Sequence, residues 1–305
     1  MPRVSVIIPT HNRASLLQRA IESAKHAGTD IEIIVVDDAS TDETQSTCRG
    51  RPDIIYLRME RNVGQARARN AGIVRSTGEY LAFLDDDDLR LPRSLDMQAE
   101  ILESDKDLGF VYGQVHVGDP KTCVPTGEIK PKDCPAGDIF WQLVRENFIY
   151  IASVLVRRRQ MEAIALFAPN VLGTEDWDAW LRLAAISKVG TVQQPVAIYR
   201  GASRHSGQTS SNRPKMMRST ARTQARALRS PRALTGDEAT RREIRSDTMD
   251  GIWSTLIDEG DTALSERNIR YAAMNYITAI QLHPKRAVRL TAIKNFTRSI
   301  LHQSR

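Results

Sequence analysis

The stretch GEYLAFLDDDD, residues 78–88, places four consecutive aspartates directly after a short apolar run. The run EYLAFL has the length and composition of a buried β-strand, and a glycine precedes it. Like charges on adjacent residues repel each other, so this sequence calls for a group that neutralises it. A divalent cation, which prefers carboxylate oxygens, is the leading candidate. The alternative is a solvated acidic turn and helix cap before Pro92.

Strand and helix patterns alternate before this stretch. Strand-like runs lie at 4–9 (VSVIIP), 31–38 (IEIIVVDD) and 53–59 (DIIYLRM). Between them, residues 13–28 carry apolar side chains at helical spacing, and residues 64–78 form a second helical pattern bounded by glycines. This alternation predicts an α/β fold with an open, mostly parallel sheet flanked by helices.

Polar clusters follow three of these strands. They are PTHNR at 9–13, DDAST at 37–41 and DDDD at 85–88. In open parallel sheets, ligands bind outside the carboxyl ends of the strands. Because three polar clusters converge on one such edge, the sequence predicts a binding site there.

Residues 93–200 continue the alternation in a less regular order. We predict helices at 93–104, 138–147 and from Thr174, which is a suitable N-cap for the acidic first turn of EDWDAW. The predicted strands are 108–117, 150–158 and two short strands within 188–200, and a Gly/Pro-rich loop occupies 118–137.

Composition restricts the class of protein. The chain has 305 residues, of which 41% are hydrophobic and 26% charged, as in ordinary soluble globular proteins. Three scattered cysteines indicate neither a disulfide framework nor a zinc site. The first residues lack the pattern of a signal peptide, and the apolar run FIYIASVLV is too short to span a membrane. We therefore expect a cytoplasmic protein.

An ordered set of motifs resembles the family 2 inverting glycosyltransferases, which have the GT-A fold. The motifs are VSVIIPTHNR, IEIIVVDDASTDET, RNVGQARARNAGI, GEYLAFLDDDD, LP, TEDWDAWLRLA and YR, and they extend from residue 3 to about residue 210. The resemblance implies an enzyme that moves a sugar from a nucleoside-diphosphate sugar, most readily a UDP-sugar, to an acceptor hydroxyl. It implies a role in the synthesis of a glycan, polysaccharide or glycoconjugate.

The resemblance also implies a metal site for Mn²⁺ or Mg²⁺. The family's Asp-x-Asp motif corresponds to Asp85 and Asp87, with Asp86 turned toward the ribose or a metal-bound water. Asp88 leaves the register of the motif open. His205 matches a histidine near the metal or diphosphate in many relatives, but its spacing from the preceding Tyr-Arg pair is longer than usual, and an exposed loop histidine is the alternative.

The resemblance extends to the nucleotide pocket. Asp38 matches the position that accepts a hydrogen bond from uracil, and a carboxylate suits the N3 donor of that base. The alternative is that Asp38 or Ser40 caps the next helix. The remaining residues implied for the nucleotide are Pro9, Thr10, Asn12, Arg13, Asn62 and Gly64.

The motif TEDWDAW corresponds to the catalytic carboxylates of the family. Asp176 would be the general base that deprotonates the acceptor hydroxyl, and Glu175 would help to place acceptor or donor. The alternative is an acidic first helical turn favoured by the helix dipole. Trp177 and Trp180 are either core residues or contacts to a sugar ring. Arg69 is expected to tie elements together.

The composition changes after residue 200. Nine Lys and Arg, and no Asp or Glu, lie between residues 200 and 235. We predict a catalytic domain at 1–210, a basic linker or helix at 211–235 and a helical region at 236–305. Residues 260–286 resemble a single tetratricopeptide-type hairpin, for which a packing appendage is the ordinary role.

The basic segment has one further pattern. Four arginines recur at helical spacing, and their charged face is either solvated or in peripheral contact with anionic lipids at the inner face of the membrane. These are Arg218, Arg222, Arg226 and Arg229. No nucleic-acid motif is present in the sequence.

Rival functions on this scaffold are a transferase that uses a GDP- or dTDP-sugar and a non-catalytic nucleotide-sugar-binding or scaffold protein. A nucleotidyltransferase would need a Gly-rich phosphate loop after the first strand, which PTHNR lacks. The sequence identifies neither the acceptor, whether glycan, lipid-linked or protein, nor the oligomeric state.

Overall fold

The computed structural model describes residues 2–201 and 212–287. It divides into two compact units, Met1–Ala202 and Ser203–Arg305. The prediction for His205 and the part of the helical region beyond residue 287 lie outside the described residues.

The described part of the first unit contains one mixed sheet of nine strands. Strands β1 to β4 are parallel, with β1 central between β2 and β4 and with β3 beyond β2. The strands are β1 (Val4–Thr10), β2 (Ile31–Asp37), β3 (Ile55–Arg58), β4 (Tyr80–Phe83), β5 (Leu89–Arg90), β6 (Leu108–Gly118), β7 (Pro125–Lys130), β8 (Val154–Arg157) and β9 (Lys188–Arg200). Their order is β3-β2-β1-β4-β8-β6-β9-β5, with β7 paired to β6.

Helices cover both faces of this sheet, as predicted. Ile8 of β1 shares a hydrophobic core with Leu17 and Ile21 on one face. Ile7 points to the opposite face, where a Cβ added at Gly72 would lie 2.5 Å from its side chain. The helices are α1 (Ala14–Lys25), α2 (Thr44–Cys48), α3 (Gln65–Arg75), α4 (Ser94–Ser104), α5 (Phe140–Arg145), α6 (Arg158–Ala163) and α7 (Glu175–Ala184). Helix α1 lies on the first face and α3 on the second.

The strand order positions the site. From β1 the chain builds outward to β2 and β3, and it then returns to add β4 on the other side of β1. Ile7 pairs with Phe83, so the residues that follow β1 and β4 leave the sheet at the same edge. Such a reversal of strand order opens a crevice between neighbouring carboxyl ends, where α/β sheets bind ligands.

Three predictions about the second half of this unit were wrong in detail. Residues 188–200 form one strand, β9, whose register against β6 shifts where Val192 and Pro195 pair with consecutive residues of β6. The two intervening glutamines therefore bulge out of a continuous strand. The predicted strand from residue 150 begins only at Val154, after a 3₁₀ turn at Ile151–Ser153. The predicted loop 118–137 contains the exposed strand β7.

The second unit is helical over its described residues. Its helices are α8 (Arg213–Ala227), α9 (Pro231–Leu234), α10 (Glu238–Ser265), α11 (Ile269–Leu282) and α12 (Pro284–Ala287). Helices α10 and α11 form an antiparallel hairpin, because Ala263 near the connection packs with Ala272, and Leu256 packs with Ala279 further along. A Cβ at Gly260 would lie 2.5 Å from the Tyr276 ring, so a glycine permits this close approach.

The arginines of the basic segment differ in their surroundings. Arg218 is half-buried and donates to Gln281 Oε1 at 2.8 Å. Arg222, Arg226 and Arg229 are exposed. Nothing in the described residues supports contact with a membrane surface. Across 2–201 and 212–287, no helix combines the length and the apolar character that a membrane span requires.

Candidate functional site

The four aspartates follow β4 after one intervening residue, and three of them are buried. Asp86, Asp87 and Asp88 retain 4%, 7% and 1% of their exposed area, and Asp85 is partly exposed. Carboxylate oxygens of Asp85, Asp87 and Asp88 lie within 4.8 Å of one another. The acidic run is therefore a folded cluster, which excludes the solvated turn that the sequence left as an alternative.

Asp86 bonds to residues at and just after the end of β1, and it shares only Arg13 with its neighbour Asp87. Its carboxylate accepts a hydrogen bond from Thr10 Oγ1 at 2.7 Å and one from Arg13 Nη1 at 3.0 Å. These two bonds tie the end of β4 to the residues after β1. The sequence left open whether Asp88 belongs to the metal motif. In the structure its carboxylate lies in the cluster with those of Asp85 and Asp87.

Arginines from three separate segments reach the acidic run within the described residues. Arg13 Nη1 also donates to Asp87 Oδ2 at 3.1 Å. Arg69, which is fully buried, donates to Asp85 Oδ1 at 2.6 Å. Arg200, at the end of β9, donates to Asp87 Oδ2 through Nη2 at 2.5 Å. Arg200 is the second residue of the YR motif, but the sequence alone predicts no role for it.

These arginines do not fully compensate the acids. Burial raises the pKa of Asp86 to about 6, despite the attraction of Arg13. Burial is also the largest cause that raises the pKa of Asp85 and the pKa of Asp88, and repulsion from Asp87 adds to both. Carboxylates held close together at raised pKa values gain from a positive charge, and hard divalent cations prefer such oxygen ligands. The carboxylate oxygens of this cluster are therefore suitable ligands for Mg²⁺ or Mn²⁺.

A second acidic pair lies at the start of α7, and Arg69 connects it to the first cluster. Arg69 Nη1 donates to Glu175 Oε1 at 3.0 Å, while Nη2 of the same guanidinium holds Asp85. Glu175 Oε2 accepts from the Gly173 amide at 2.8 Å, so both of its oxygens are engaged. Glu175 thus positions Arg69, and the expectation that Arg69 ties elements together agrees with these contacts.

Asp176 differs from Glu175 in exposure and in titration. Its side chain keeps part of its surface exposed, and it accepts a hydrogen bond from the Trp177 amide at 2.7 Å. Burial, followed by repulsion from Glu175, raises the pKa of Asp176 to about 7. A carboxylate with this pKa can take up a proton near neutral pH, as a general base requires.

The two tryptophans of the motif are core residues. The Trp177 indole donates to Leu143 O at 2.8 Å and is buried. Trp180 is fully buried and stacks on Phe110 with ring centroids 6.0 Å apart. These contacts settle the alternative in favour of packing.

Asp38 holds the loop that leads into α3. Its two carboxylate oxygens accept hydrogen bonds from the Val63 amide at 2.7 Å and the Gly64 amide at 2.8 Å. Gly64 is the N-cap of α3 with φ +85°, a conformation that favours glycine. Asp38 therefore organises the entry to α3, although the capping alternative had pointed to the next helix in sequence, α2. Asn62 is exposed on the same loop.

Asp37, the last residue of β2, anchors the chain directly before Asp38. It is completely buried and accepts from Tyr56 Oη at 2.5 Å and from Arg58 Nη1 at 2.7 Å. Hydrogen bonds from Ser40 and Tyr56 and the charge of Arg58 lower the pKa of Asp37, against the effect of burial. No local sequence pattern points to Tyr56 and Arg58, because their partner Asp37 lies in a different strand.

The residues after β1 clamp the loop after β2. Asn12, with φ 56°, accepts from the Thr41 amide through Oδ1 at 2.7 Å. A ring nitrogen of His11 lies 2.8 Å from the Asp38 carbonyl oxygen. Pro9 and Thr10 are buried at the end of β1. The structure thus holds the residues just after β1 against the loop that contains Asp38.

Comparison with known families identifies the first unit. A family model described as Glycosyl transferase family 2 matches residues 5–146, so this segment of the first unit belongs to that family. An uncharacterized glycosyltransferase of Rickettsia prowazekii is 31% identical over 195 residues, covering 62% of this chain and 60% of the relative. One of Nostoc sp. is 30% identical over 221 residues, covering 67% and 66%. The chain therefore spans less than two thirds of the length of these curated relatives.

Solved structures of similar fold carry nucleotide-sugar donors. The S. aureus protein TarS, residues 1–349, in complex with UDP-GlcNAc has a TM-score of 0.64 and 17% identity, covering 94% of this chain and 82% of TarS. The mannosyltransferase PcManGT from Pyrobaculum calidifontis, in complex with GDP-Man and Mn²⁺, has a TM-score of 0.59 and 21% identity, covering 93% and 86%. The chain has the GT-A fold that the sequence predicted.

Proposed function

Since residues 5–146 match glycosyl transferase family 2, we propose that the protein is a metal-dependent inverting glycosyltransferase. It moves a sugar from a nucleoside-diphosphate sugar, most readily a UDP-sugar, to an acceptor hydroxyl during the synthesis of a glycan or glycoconjugate. The proposed catalytic domain is the first unit. The helical second unit is proposed as an appendage.

The observation that carries this proposal is the continuous charge network between the two acidic groups. Arg69 donates to Asp85 on one side and to Glu175 on the other, and Asp176 follows Glu175 directly. A candidate cation-binding cluster and a carboxylate with its pKa near 7 therefore lie on the two sides of one arginine. Inverting transfer needs these two functions together, because the leaving group and the attacking hydroxyl lie on opposite faces of the sugar.

The metal would be held by Asp85, Asp87 and Asp88. When bound, a divalent ion supplies a positive charge that stabilises the departing nucleoside diphosphate. Asp86 is proposed to face the ribose side, since its carboxylate already bonds to Thr10 and Arg13 beside the cluster. Arg13 is positioned for the phosphates or base.

Asp176 is the proposed general base. Its raised pKa makes the ionised carboxylate a strong enough base to take the proton of a sugar hydroxyl as the new bond forms. Glu175 holds Arg69 and the Gly173 amide, so it orients the start of α7 and with it the carboxylate of Asp176. We therefore assign Glu175 a positioning role.

The proposed base pocket lies between the loops after β1 and β2. Asp38 is committed to the Val63 and Gly64 amides, but each carboxylate oxygen has a second lone pair that can accept from a uracil N3–H. UDP is the first candidate for the nucleotide. GDP is the second, because a structure of the same fold binds GDP-Man.

A transfer assay with defined donors tests this function. The protein is incubated with Mn²⁺ and a panel of UDP-, GDP- and dTDP-sugars, and the release of nucleoside diphosphate is measured with water or a panel of hydroxyl acceptors. We expect release with one nucleotide class and none after Asp176→Asn. NMR of the product should show an anomeric configuration opposite to that of the donor. Release that is equal in wild type and Asp176→Asn, or none with any donor, would contradict the proposal and favour a binding or scaffold role.

A further inference from the structure

Arg200 ends β9, and its hydrogen bonds reach both the acidic cluster and the loop at Pro120. Its backbone amide donates to Asp88 Oδ1 at 2.8 Å. Its guanidinium donates to Asp87 Oδ2 through Nη2 at 2.5 Å and Nε at 3.2 Å, and to Pro120 O through Nη1 at 3.1 Å. The residue retains only 6% of its exposed area. All three guanidinium nitrogens of this buried side chain donate hydrogen bonds, so the orientation of the guanidinium group is fixed.

The contacts converge on one atom. Asp87 Oδ2 accepts from Nη2 and Nε of Arg200 and also from Nη1 of Arg13, at 3.1 Å. Two guanidinium groups from distant segments therefore share a single carboxylate oxygen. Asp87 is also one of the three carboxylates that can hold a metal ion. A divalent cation bound by Asp87 would therefore compete with two guanidinium groups for the same side chain, since like charges this close repel each other.

We propose that Arg200, together with Arg13, is a diphosphate-binding residue that pairs with Asp87 until the donor binds. The arginine forks then donate to the diphosphate of the donor and leave Asp87 to the cation. This inference rests on the proposed function, which supplies the diphosphate. A guanidinium fork matches phosphate oxygens as well as it matches a carboxylate, and each such bond is charge-assisted.

The exchange has a thermodynamic consequence. With the arginines on Asp87, the cation alone binds weakly, because it must displace or approach two positive charges. A diphosphate draws those charges toward itself, so its binding strengthens the binding of the cation. By linkage, the cation must strengthen the binding of the diphosphate by the same factor. The site therefore binds metal and donor cooperatively and disfavours metal in the absence of donor.

The alternative is that Arg200 is a structural strut that joins β9, the loop at Pro120 and the acidic run. A strut and an exchanging arginine differ in the sign of their effects. Removal of a strut loosens the cluster, so both ligands bind less well or neither changes. Removal of an exchanging arginine frees Asp87 for the cation while it deprives the diphosphate of a partner, so the two affinities move in opposite directions.

The test is calorimetry of the full chain with Mn²⁺ alone and with UDP in saturating Mn²⁺. In Arg200→Gln we expect Mn²⁺ alone to bind at least about threefold more tightly, because a nearby positive charge is removed. We expect UDP to bind roughly tenfold more weakly, the size of a lost charge-assisted hydrogen bond. Arg200→Lys keeps the charge but not the fork, so its affinity for Mn²⁺ should stay near wild type while its affinity for UDP falls.

Arg157→Gln is the matched control. Arg157 is also a buried arginine in the sheet, but it pairs with Tyr80 at the opposite end of β4. Its loss should alter neither affinity. Should Arg200→Gln fail to fold by circular dichroism, Arg13→Gln gives the same test, since the Arg13 side chain is 24% exposed and removable at lower risk.

The outcomes separate this inference from the proposed function. Absence of UDP binding by the wild type with any divalent cation would overturn the proposed function. UDP binding by the wild type, with both affinities of the arginine variant shifted in the same direction or unchanged, would overturn this inference alone. Tighter binding of Mn²⁺ together with weaker binding of UDP would support the exchange, and the reverse pair of shifts would overturn it.

Discussion

The two ends of β4 show how the same residue type serves two purposes. At the amino end, Arg157 donates through Nε to Leu108 O at 2.9 Å, and Arg158 donates to Gly78 O at 2.7 Å. The main partners there are neutral carbonyl groups. At the carboxyl end, Arg13, Arg69 and Arg200 face carboxylates instead.

The difference lies in the balance of charge. Within the described residues, the carboxyl end gathers six carboxylates around these three arginines, counting Asp85 to Asp88, Glu175 and Asp176. The acids are therefore in excess, and the pKa values of Asp86 and Asp176 are raised to about 6 and about 7. An excess of buried charge costs folding free energy and is a mark of a functional site. Among the described residues, the amino end has no comparable excess of carboxylates. Its arginines donate hydrogen bonds to backbone carbonyl groups instead.

The largest expected effect at the carboxyl end is on turnover. Asp176→Asn removes the proposed base while it keeps the size and the bond to the Trp177 amide. Turnover should fall roughly a thousandfold, within the range for a general base. The affinity for UDP should stay within about twofold, because the donor site is separate. Product formation and calorimetry on the same preparation check both. A similar loss of UDP affinity would mean that Asp176 serves binding.

Removal of one arginine at each end of β4 compares how much each contributes to the free energy of unfolding. Arg69→Met leaves the buried Glu175 and the partly exposed Asp85 without their shared partner, so we expect a loss of about 3–5 kcal/mol in unfolding free energy. Arg157→Met leaves neutral carbonyls unsatisfied and should cost about 1–3 kcal/mol. Urea denaturation at pH 8 measures both. Equal losses would contradict the claim that charge imbalance distinguishes the two ends.

The pH dependence of the rate follows from the pKa of Asp176. As a base, Asp176 must be ionised, and its pKa of about 7 predicts that kcat/KM rises about tenfold per pH unit below neutrality and levels off above it. The measurement uses saturating Mn²⁺, with the UDP affinity followed over the same pH range to separate binding from chemistry. A rate that is flat between pH 5 and pH 8 would contradict the assignment.

The smallest expected effect is a gain in stability. The folded-state pKa of Asp176 lies above the unfolded value, so the folded protein loses stability as pH rises from about 4 to about 7 while this carboxyl ionises. Above that range, Asp176→Asn removes the buried charge and should stabilise the fold by roughly 1–2 kcal/mol, discounted because the side chain is partly exposed. At pH 4 the gain should vanish. Thermal unfolding at pH 8 and pH 4 checks the sign, and a variant that is less stable at both would refute it.

Much of the first unit was predictable because local patterns determine it. The apolar runs of β1, β2 and β4 and the helical spacing in α1 predicted the βαβ order, and the polar residues after each strand predicted which edge carries the site. The bulge in β9 was not predictable, since it depends on pairing with β6 rather than on the residues of β9 alone.

The site was predictable by residue type and less so by partner. The acidic run and the Glu175–Asp176 pair stand out in the sequence, but no local signal selects Arg200 as the partner of Asp87 across more than a hundred residues. Nor does the sequence choose between adjacent aspartates. Only the turn of the chain after β4 sends Asp86 toward Thr10 and brings Asp88 beside Asp85 and Asp87.

The central claim is that the acidic cluster binds a cation which in turn holds the donor diphosphate. The most direct test is calorimetric titration of UDP with Mn²⁺ and with EDTA, on wild type and on Asp87→Ala, with Asp107→Ala as a control at an exposed position. We predict that UDP binds only with Mn²⁺, that Asp87→Ala weakens this binding at least about a hundredfold, and that Asp107→Ala leaves it unchanged. Equal binding of UDP in EDTA, or equal binding by Asp87→Ala, would contradict the account.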